Sequence, residues 1–414
     1  PSLKYNIGFL NTKVSNIITN ILNPTLSTQI GDIGKIPLDI TFKGKSKIES
    51  LVSENVDITK NDWNSHEISW DFEGSPLLTA KHDIGSDNFC LDMLSDEDRE
   101  DVIKIAGNLP TNSTLLSDCV SKYKRKWQRN FMQLHRNEEE LNRQFIEIYG
   151  LQDELTPDVL LDEITILQQG EISIEDNQIV WHDDVIIKQF ISYAIGCIMG
   201  RYSLDKPGLI LANQGDDVAR YKELVPNSRF AIDDDGIIPL MDDNSPFCDN
   251  AVSRLAEFVK VAFGADVLTE NLNYMEQALG KSLSEYLQKD FWKDHKKMYQ
   301  SRPIYWLFAS KKGAFRVLVY MHRMDAYTVG KVRNQYLLPY IEWLKQRIDE
   351  LMARQAELSA IERKQLKDFG KSLEECREYD VRLHEVANKQ ISIDLDDGVV
   401  VNYAKYGDVL QKLK

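Results

Sequence analysis

Cysteine is scarce in this sequence, and the few cysteines show no pairing pattern. They are odd in number, widely separated and never in Cys-x-x-Cys spacing. This arrangement indicates neither a disulfide framework nor a zinc site, so we expect buried thiols. The cysteines are Cys90, Cys119, Cys197, Cys248 and Cys376.

Long apolar runs and a secretion signal are also missing. No run reaches the ~18–20 apolar residues that span a bilayer, and residues 1–5 show no basic stretch followed by an apolar one. We therefore expect a cytoplasmic protein. The chain begins on Pro1 inside an apolar pattern that runs from Ile7 to Ile18, so we expect a truncated start rather than a native one.

The motifs of nucleotide-binding and hydrolytic enzymes are incomplete or absent. A phosphate-binding loop needs a glycine five residues before Gly-Lys-Ser/Thr. Gly-Lys-Ser occurs at Gly44, Gly280 and Gly370, but none of the three has that glycine. The residues in its place are Asp39, Met275 and Gln365. The sequence contains no Gly-x-Gly-x-x-Gly, His-Glu-x-x-His or Gly-x-Ser-x-Gly string, so a self-sufficient enzyme is the least favoured interpretation.

Clustered acids and histidines do not indicate a metal site. The acidic clusters at 233–235 and 394–397 contain Asp, which favours turns through hydrogen bonds to its own backbone. The histidines at His182 and His295 are interpreted as surface or helix-end residues rather than as ligands.

The composition is that of a folded protein with an acidic surface. At 414 residues, with 43% apolar and 28% charged side chains, the chain is long enough for two or three packed units. Its formal net charge of −15 disfavours nucleic-acid binding as a whole, since affinity for DNA comes largely from neutralising phosphates.

The positive charge is nevertheless concentrated in two segments. From Glu285 to Arg333 eleven Lys and Arg stand against four acids, and from Ser121 to Asn137 six stand against none. Such asymmetry is typical of a protein with one DNA-facing side, while two solvated helix faces are the plain alternative. The candidate DNA contacts are Lys35, Lys122, Lys124, Arg125, Lys126, Arg129, Lys311, Lys312, Arg316, Arg323, Lys331 and Arg333.

Hydrophobic periodicity predicts an α+β fold that is mainly helical. Helices are predicted at 7–22, 47–56, 117–149, 185–199, 250–263, 268–279 and 282–299, with a helix start at 95–98. Short β-hairpins are predicted at 163–181, 303–323 and 391–403. Heptad-like spacing at 326–389, including Ile361 on the second arm, predicts a long antiparallel helical hairpin. Its seam is predicted to contain Leu344, Ile348, Phe369 and Leu373.

Several strings resemble one protein family and occur in the same order. They are GFLNTKV at 8–14, LNPTL at 22–26, QIGDI at 29–33, DWNSHEISWDF at 62–72, NEEELNRQFIEIYGLQDELTP at 137–157, GRYSLD at 200–205, RPIYWLF at 302–308 and IDLDDGV at 393–399. Together they are similar to the C-terminal region of the adenine-specific DNA methyltransferase of BREX phage-defence systems, the PglX family.

The resemblance implies a division of the chain. Residues 1–60 would be the C-terminal end of a target-recognition domain and 61–325 a mainly helical domain with β-hairpins. Residues 326–390 would be the antiparallel helical hairpin and 391–414 a terminal β-hairpin tail. The family's enzyme would transfer a methyl group from S-adenosylmethionine to adenine N6 in double-stranded DNA, in a system with other phage-defence proteins.

The family's catalytic motifs have no counterpart in this sequence. The glycine-rich cofactor turn and the Asn/Asp-Pro-Pro-Tyr/Phe loop are absent, and the nearest string, at 23–26, lacks the second proline and the aromatic ring. We therefore expect no catalytic, cofactor-binding or metal residues in this chain, and no binding of S-adenosylmethionine by the chain alone.

Two functions remain open at this point. One is a DNA-recognition and clamp region of the methyltransferase, based on the two basic segments. The alternative is a protein–protein interaction module that docks other defence-system components or a phage inhibitor through the acidic surface and the helical hairpin. The salt dependence of DNA binding separates them, because only phosphate contacts release counterions.

Overall fold

The computed structural model describes residues 2–25, 30–39, 42–81, 113–241 and 245–413. In chain order the helices are α1 (Leu3–Leu10), α2 (Lys13–Leu22), α3 (Ile30–Ile33), α4 (Lys45–Asn64), α5 (Pro76–Lys81), α6 (Leu116–Tyr149), α7 (Asp183–Met199), α8 (Val218–Leu224), α9 (Ala251–Phe263), α10 (Leu268–Leu279), α11 (Leu283–Lys289), α12 (Phe291–Met298), α13 (Thr328–Lys331), α14 (Leu338–Ala353), α15 (Ala360–Asn388) and α16 (Val399–Ala404). The strands are β1 (Ile172–Glu175), β2 (Gln178–Trp181), β3 (Ile237–Pro239), β4 (Tyr305–Ala309) and β5 (Arg316–Tyr320).

The described part is mainly helical with two small antiparallel sheets, which confirms the predicted α+β class. It divides into two compact units: unit 1 holds the described residues of 1–69 and 120–182, and unit 2 holds those of 70–84, 112–119 and 183–414. The helix start predicted at 95–98 and Cys90 lie outside the described residues. None of the described helices has both the length and the apolar character needed to cross a bilayer.

The first helices of unit 1 differ from the prediction. Instead of one helix at 7–22 there are two, because Thr12 takes an extended conformation and its side chain accepts a hydrogen bond from the N–H of Ser15 at 3.4 Å. α2 ends at Leu22, where the predicted helix ends. α4 has 20 residues and so extends beyond the predicted 47–56. The core of unit 1 lies where α1, α4 and α6 meet, with the rings of Phe9 and Phe145 5.3 Å apart.

The two-stranded sheet of unit 1 confirms the second part of the hairpin region predicted at 163–181, around the turn at Asp176 and Asn177, whereas residues 163–170 form no strand. Both residues have positive φ, 49° and 60°, as a two-residue turn with the twist of the strands requires. Glu171 precedes β1 and is fully buried. Its carboxylate lies 2.6 Å from Nε2 of the buried His66, which follows α4.

In unit 2, α7 is apolar on almost every side and is buried accordingly. The neighbouring helices α9 and α10 follow the predictions at 250–263 and 268–279. The helix predicted at 282–299 is instead two helices, since the backbone of Asp290 leaves the helical conformation (φ −120°, ψ −35°).

The predicted β4–β5 hairpin forms the larger sheet with a third strand. β3 pairs with β5, giving the order β3-β5-β4, and all pairs are antiparallel. With three residues, β3 is too short to show a strand periodicity, so the sequence did not predict it. The apolar side chains Tyr305, Leu307, Val317 and Val319 are all buried, but they lie on two faces of the sheet, since Leu307 pairs with Leu318 whereas Val317 pairs with Phe308 and Val319 with Trp306. Both faces are covered, and Trp306 lies 5.2 Å from the ring of Tyr403.

The terminal β-hairpin predicted at 391–403 is wrong. A 3-10 turn at Leu395–Asp397 leads into α16, and only Leu410 forms an isolated bridge, to Phe308. The side chain of Asn402 explains this: it accepts the N–H of Asp394 at 3.0 Å and donates to the carbonyl of Gly398 at 3.0 Å, which closes a helical turn.

The structure contains the predicted antiparallel helical hairpin as α14 and α15. Contacts join residues whose numbers rise on one helix as they fall on the other: Arg333 meets Asp380, Trp343 meets Phe369 and Arg354 meets Glu362. Leu344 is fully buried in the seam. Ile348, Phe369 and Leu373 are half-buried. Ile361 is exposed, although it was predicted to belong to the apolar pattern of the second arm.

Two of the singled-out polar groups have structural roles. Asp233 Oδ1 accepts the N–H groups of Gly236 and Ile237 at 2.6 and 3.1 Å, so this acidic cluster serves a turn. His295 lies in the last turn of α12, as the helix-end interpretation expected, but it is buried rather than at the surface, and its Nε2 accepts the N–H groups of Ile304 and Tyr305, both at 3.1 Å.

Candidate nucleic-acid interface

The turn between β4 and β5 presents two exposed lysines on a fixed backbone. Lys311 and Lys312 are both exposed. The turn closes through the N–H of Gly313 to the carbonyl of Ser310 at 3.0 Å, and through the N–H of Phe315 to the hydroxyl of Ser310 at 2.9 Å. Glycine is favoured at position 313, because its φ of +81° is a conformation that residues with a Cβ rarely adopt.

The carboxylate of Glu375 on α15 holds this turn in place. One oxygen accepts the N–H groups of Lys312 at 2.7 Å and of Ala314 at 3.3 Å. Partial burial disfavours the charged carboxylate, but its hydrogen bonds to the turn and the nearby Lys312 outweigh burial and lower the pKa of Glu375. The turn is therefore held by hydrogen bonds within it and from α15, and we call Lys311 and Lys312 together the hairpin tip.

Four other candidate cations of unit 2 are used inside the protein. Arg323 donates to the carbonyls of Asp233 and Asp234, each at 2.7 Å, and Arg333 forms a two-pronged ion pair with Asp380 at 2.6 and 3.1 Å. The remaining two are also engaged. Lys331 pairs with Asp325 at 3.0 Å, and Arg316 donates to the carbonyl of Gln288.

The first basic segment lies on α6, where its members differ in exposure. Lys122 is buried, while Lys124, Arg125 and Arg129 are half-buried. Only Lys126 of the candidates on α6 is fully exposed, with its ammonium 6.0 Å from the ring of Trp127. The basic residues of this segment therefore do not form one uniformly exposed face, although they lie on one long helix.

Lys35 lies away from the other candidates of unit 1. It is exposed and 3.8 Å from Asp32. The nearby Asp39 contacts the far end of α6, because its main-chain N–H donates to the hydroxyl of Tyr149 at 3.3 Å. Tyr149 is twenty residues beyond Arg129, which corresponds to ~30 Å along a helix. The structure does not bring Lys35 together with Lys126 or Arg129.

Comparison with known proteins identifies relatives over almost the whole chain. No protein-family model matches it. The adenine-specific methyltransferase BrxX of Escherichia coli O9:H4 (strain HS) is 35% identical over 435 residues, covering 99% of this chain and 33% of that protein. The adenine-specific methyltransferase PglX of Lacticaseibacillus casei (strain Zhang) is 34% identical over 419 residues, covering 98% of this chain and 31% of that protein.

The chain is related to the PglX family. This confirms the resemblance drawn from its sequence strings. The chain spans about a third of the length of the curated relatives that it matches.

In this PglX-related chain, the structure also shows exposed cations that the sequence reasoning passed over. Arg363, Lys364 and Lys367 lie exposed on the first half of α15, and Glu375 of the same helix binds the hairpin tip. The signal that could have found them is the repetition of like charges at four-residue spacing. This repetition does not stand out in the sequence, because acidic residues elsewhere on α15 bring the net charge of the helix close to zero.

Proposed function

We propose that the chain is a DNA-recognition and clamp region of an adenine-N6 DNA methyltransferase of BREX phage defence, holding duplex through contacts to its phosphates. The relationship to adenine-specific methyltransferases supports the setting. The observation that carries the proposal is the hairpin tip: two exposed lysines on a turn whose backbone is bound by Glu375. Phosphate contacts of this kind position a protein on DNA without reading sequence.

Within this proposal, residues 1–60 form the end of a target-recognition domain, and S-adenosylmethionine supplies the methyl group of the enzyme. The described strands pair antiparallel, and none leads through a glycine-rich turn into a helix. The described strands therefore do not form a binding site that fits the cofactor, and no catalytic step is assigned to the described residues. Double-stranded DNA and other phage-defence proteins are the proposed partners.

The test removes the charge of the hairpin tip and leaves its backbone intact. Lys311→Ala with Lys312→Ala should leave the melting temperature nearly unchanged, because Lys312 contacts Glu375 through its main-chain N–H. Binding of target and non-target duplex by the chain should weaken to the same extent, as measured by fluorescence anisotropy, since the lost contacts are to phosphates.

The matched control is Lys345→Ala with Arg347→Ala on α14. These cations are also exposed or half-exposed, but they form ion pairs with Glu342 and Glu350 at 3.1 and 2.6 Å. The control should bind DNA like the unmodified chain. Equal loss in both variants would mean that net charge alone matters, and no loss in the tip variant would show that the tip is structural.

A protein-interaction module is the second candidate function, and a different surface favours it. Leu3, Ile21 and Ile30 are 74%, 76% and 90% exposed on α1, α2 and α3, which contact one another in chain order, and apolar side chains gathered on a surface are typical of a docking site. Absence of DNA binding by the chain, together with loss of a partner protein on Ile21→Asp, would favour this candidate over the first.

A further inference from the structure

The first half of α15 carries a row of cations that is largely unneutralised. From residue 363 to 371 there are four cations, Arg363, Lys364, Lys367 and Lys371, against Asp368, and all five side chains are exposed. Lys371 pairs with Asp368 at 3.1 Å. In the part of the chain that the structure describes, the other three cations form no ion pair. We call the four cations the α15 row.

The facing helix of the same hairpin shows the opposite arrangement. On α14 and its end, Lys345 pairs with Glu342, Arg347 with Glu350, and Arg354 reaches Glu362 at 2.7 Å. Alternating charges at three- or four-residue spacing stabilise a solvated helix, whereas like charges four residues apart destabilise it. Arg363, Lys367 and Lys371 are spaced at four residues. The α15 row is therefore not explained by the needs of the helix.

The α15 row leads directly to the hairpin tip. Continuing at four-residue spacing, the next residue after Lys371 is Glu375, which binds the N–H of Lys312 at 2.7 Å. From Arg363 to Glu375 a helix rises by ~18 Å. A duplex presents roughly ten phosphate charges over that length. The acids Glu374, Glu375 and Glu378 come after Lys371 on the same helix, so the positive charge of α15 ends where the helix meets the tip.

Gly370 lies within the row and has no local reason to be glycine. It sits inside α15, where glycine weakens a helix, and a Cβ at this position would meet nothing within 4 Å. Packing within the described structure thus leaves room for alanine. A missing side chain at an exposed helical position does allow another backbone to approach closely.

We infer that the α15 row extends the hairpin tip into one continuous DNA-holding surface, with the phosphate backbone of a duplex passing over Gly370. This inference rests on the proposed function. The ligand is the phosphate backbone of double-stranded DNA, whose charge is opposite in sign to that of the row. Contacts between this surface and phosphates are independent of base sequence, so the surface contributes to affinity for DNA and not to the choice of target sequence.

The test measures binding of a short non-target duplex to the chain carrying Arg363→Ala, Lys364→Ala and Lys367→Ala. Alanine keeps the helix, and the three side chains are exposed, so circular dichroism should show an unchanged fold. Affinity should fall, and the slope of log K against log salt should become shallower by about one for each lost phosphate contact. The control Lys345→Ala with Arg347→Ala should change neither.

A second variant leaves the charge unchanged and tests whether the phosphate backbone passes close to Gly370. Gly370→Ala should raise the melting temperature, because alanine favours the helix, and should still weaken DNA binding, because its methyl group stands in the path of the phosphates. Tighter or equal binding by this variant overturns the close approach.

The outcomes separate this inference from the proposed function. Weak binding by the hairpin-tip variant with normal binding by the α15-row variant would overturn the inference and leave the proposed function standing. Normal DNA binding by both variants would overturn both. Loss of binding to an acidic protein, with DNA binding intact, would assign the row to a protein partner and would also overturn the inference.

Discussion

At the scale of single residues, His66 and Glu171 form the most consequential polar contact of unit 1. Both side chains are buried, Nε2 of His66 lies 2.6 Å from the Glu171 carboxylate, and Nδ1 lies 2.7 Å from the carbonyl of Asp62. Burial disfavours the imidazolium. The hydrogen bond and negative charge of Glu171, aided by Asp62, outweigh that effect and raise the pKa of His66 above its usual 6.5.

This raised pKa predicts how stability depends on pH. The stabilising contribution of His66 is fully present below the unfolded pKa and is lost as the pH rises through the higher folded pKa. His66→Leu should therefore cost about 3–5 kcal/mol of unfolding free energy near pH 6, where a buried charge pair is broken. It should cost less at a higher pH of about 9, because the imidazolium of the unmodified chain is lost as the pH rises through the raised folded pKa.

Urea denaturation of the unmodified chain and the variant at the two pH values measures this difference. The matched control is His384→Gln, since His384 is exposed on α15. A cost of His66→Leu that is the same at both pH values would contradict the assigned ion pair.

The candidate site shows which residue-level features a sequence can predict. The hairpin predicted at 303–323 has Lys311 and Lys312 near its middle, where the turn lies, because the turn residues are adjacent to them in sequence. The inward orientation of Arg323 and Arg333 could not be predicted, since their acceptors are remote: Asp233 is 90 residues away and Asp380 is 47. Charge counts along the chain cannot tell an internal ion pair from a free cation.

At the scale of elements, long periodic segments were predicted well. α6, α7 and the α14–α15 hairpin follow directly from apolar spacing. The π-helical turn at Val332–Leu337, before α14, was not predicted, although it has a local cause: Pro339 has no N–H to donate to the carbonyl four residues earlier. β3 and the helical end of the chain depend on contacts with distant segments, which periodicity does not report.

The seam of the α14–α15 hairpin yields a stability prediction. Leu344→Ala should destabilise the chain by ~2–5 kcal/mol, the usual cost of truncating a fully buried leucine. The measurement is urea denaturation, with Ile361→Ala as control. Ile361 is 73% exposed and its truncation should change the unfolding free energy little. Equal effects of the two variants would show that the helices do not pair through Leu344.

At the scale of the whole molecule, the net charge of −15 is compatible with DNA binding only if positive charge is gathered locally. The structure narrows the twelve candidate cations to a smaller exposed group, in which the hairpin tip belongs to unit 2 and Lys126 to unit 1. A relationship to adenine-specific methyltransferases over 98–99% of the chain fits such a role. The central claim is that this largely acidic chain holds DNA through phosphate contacts.

The most direct test of that claim is the salt dependence of duplex binding by the unmodified chain. Anisotropy titrations with a non-target duplex at several salt concentrations give the slope of log K against log salt, which changes by about −0.9 for each phosphate contact. The two lysines of the hairpin tip and the three cations of the α15 row that form no ion pair together predict a slope of about −4 to −5. A slope near zero, or no binding at low salt, would contradict the account.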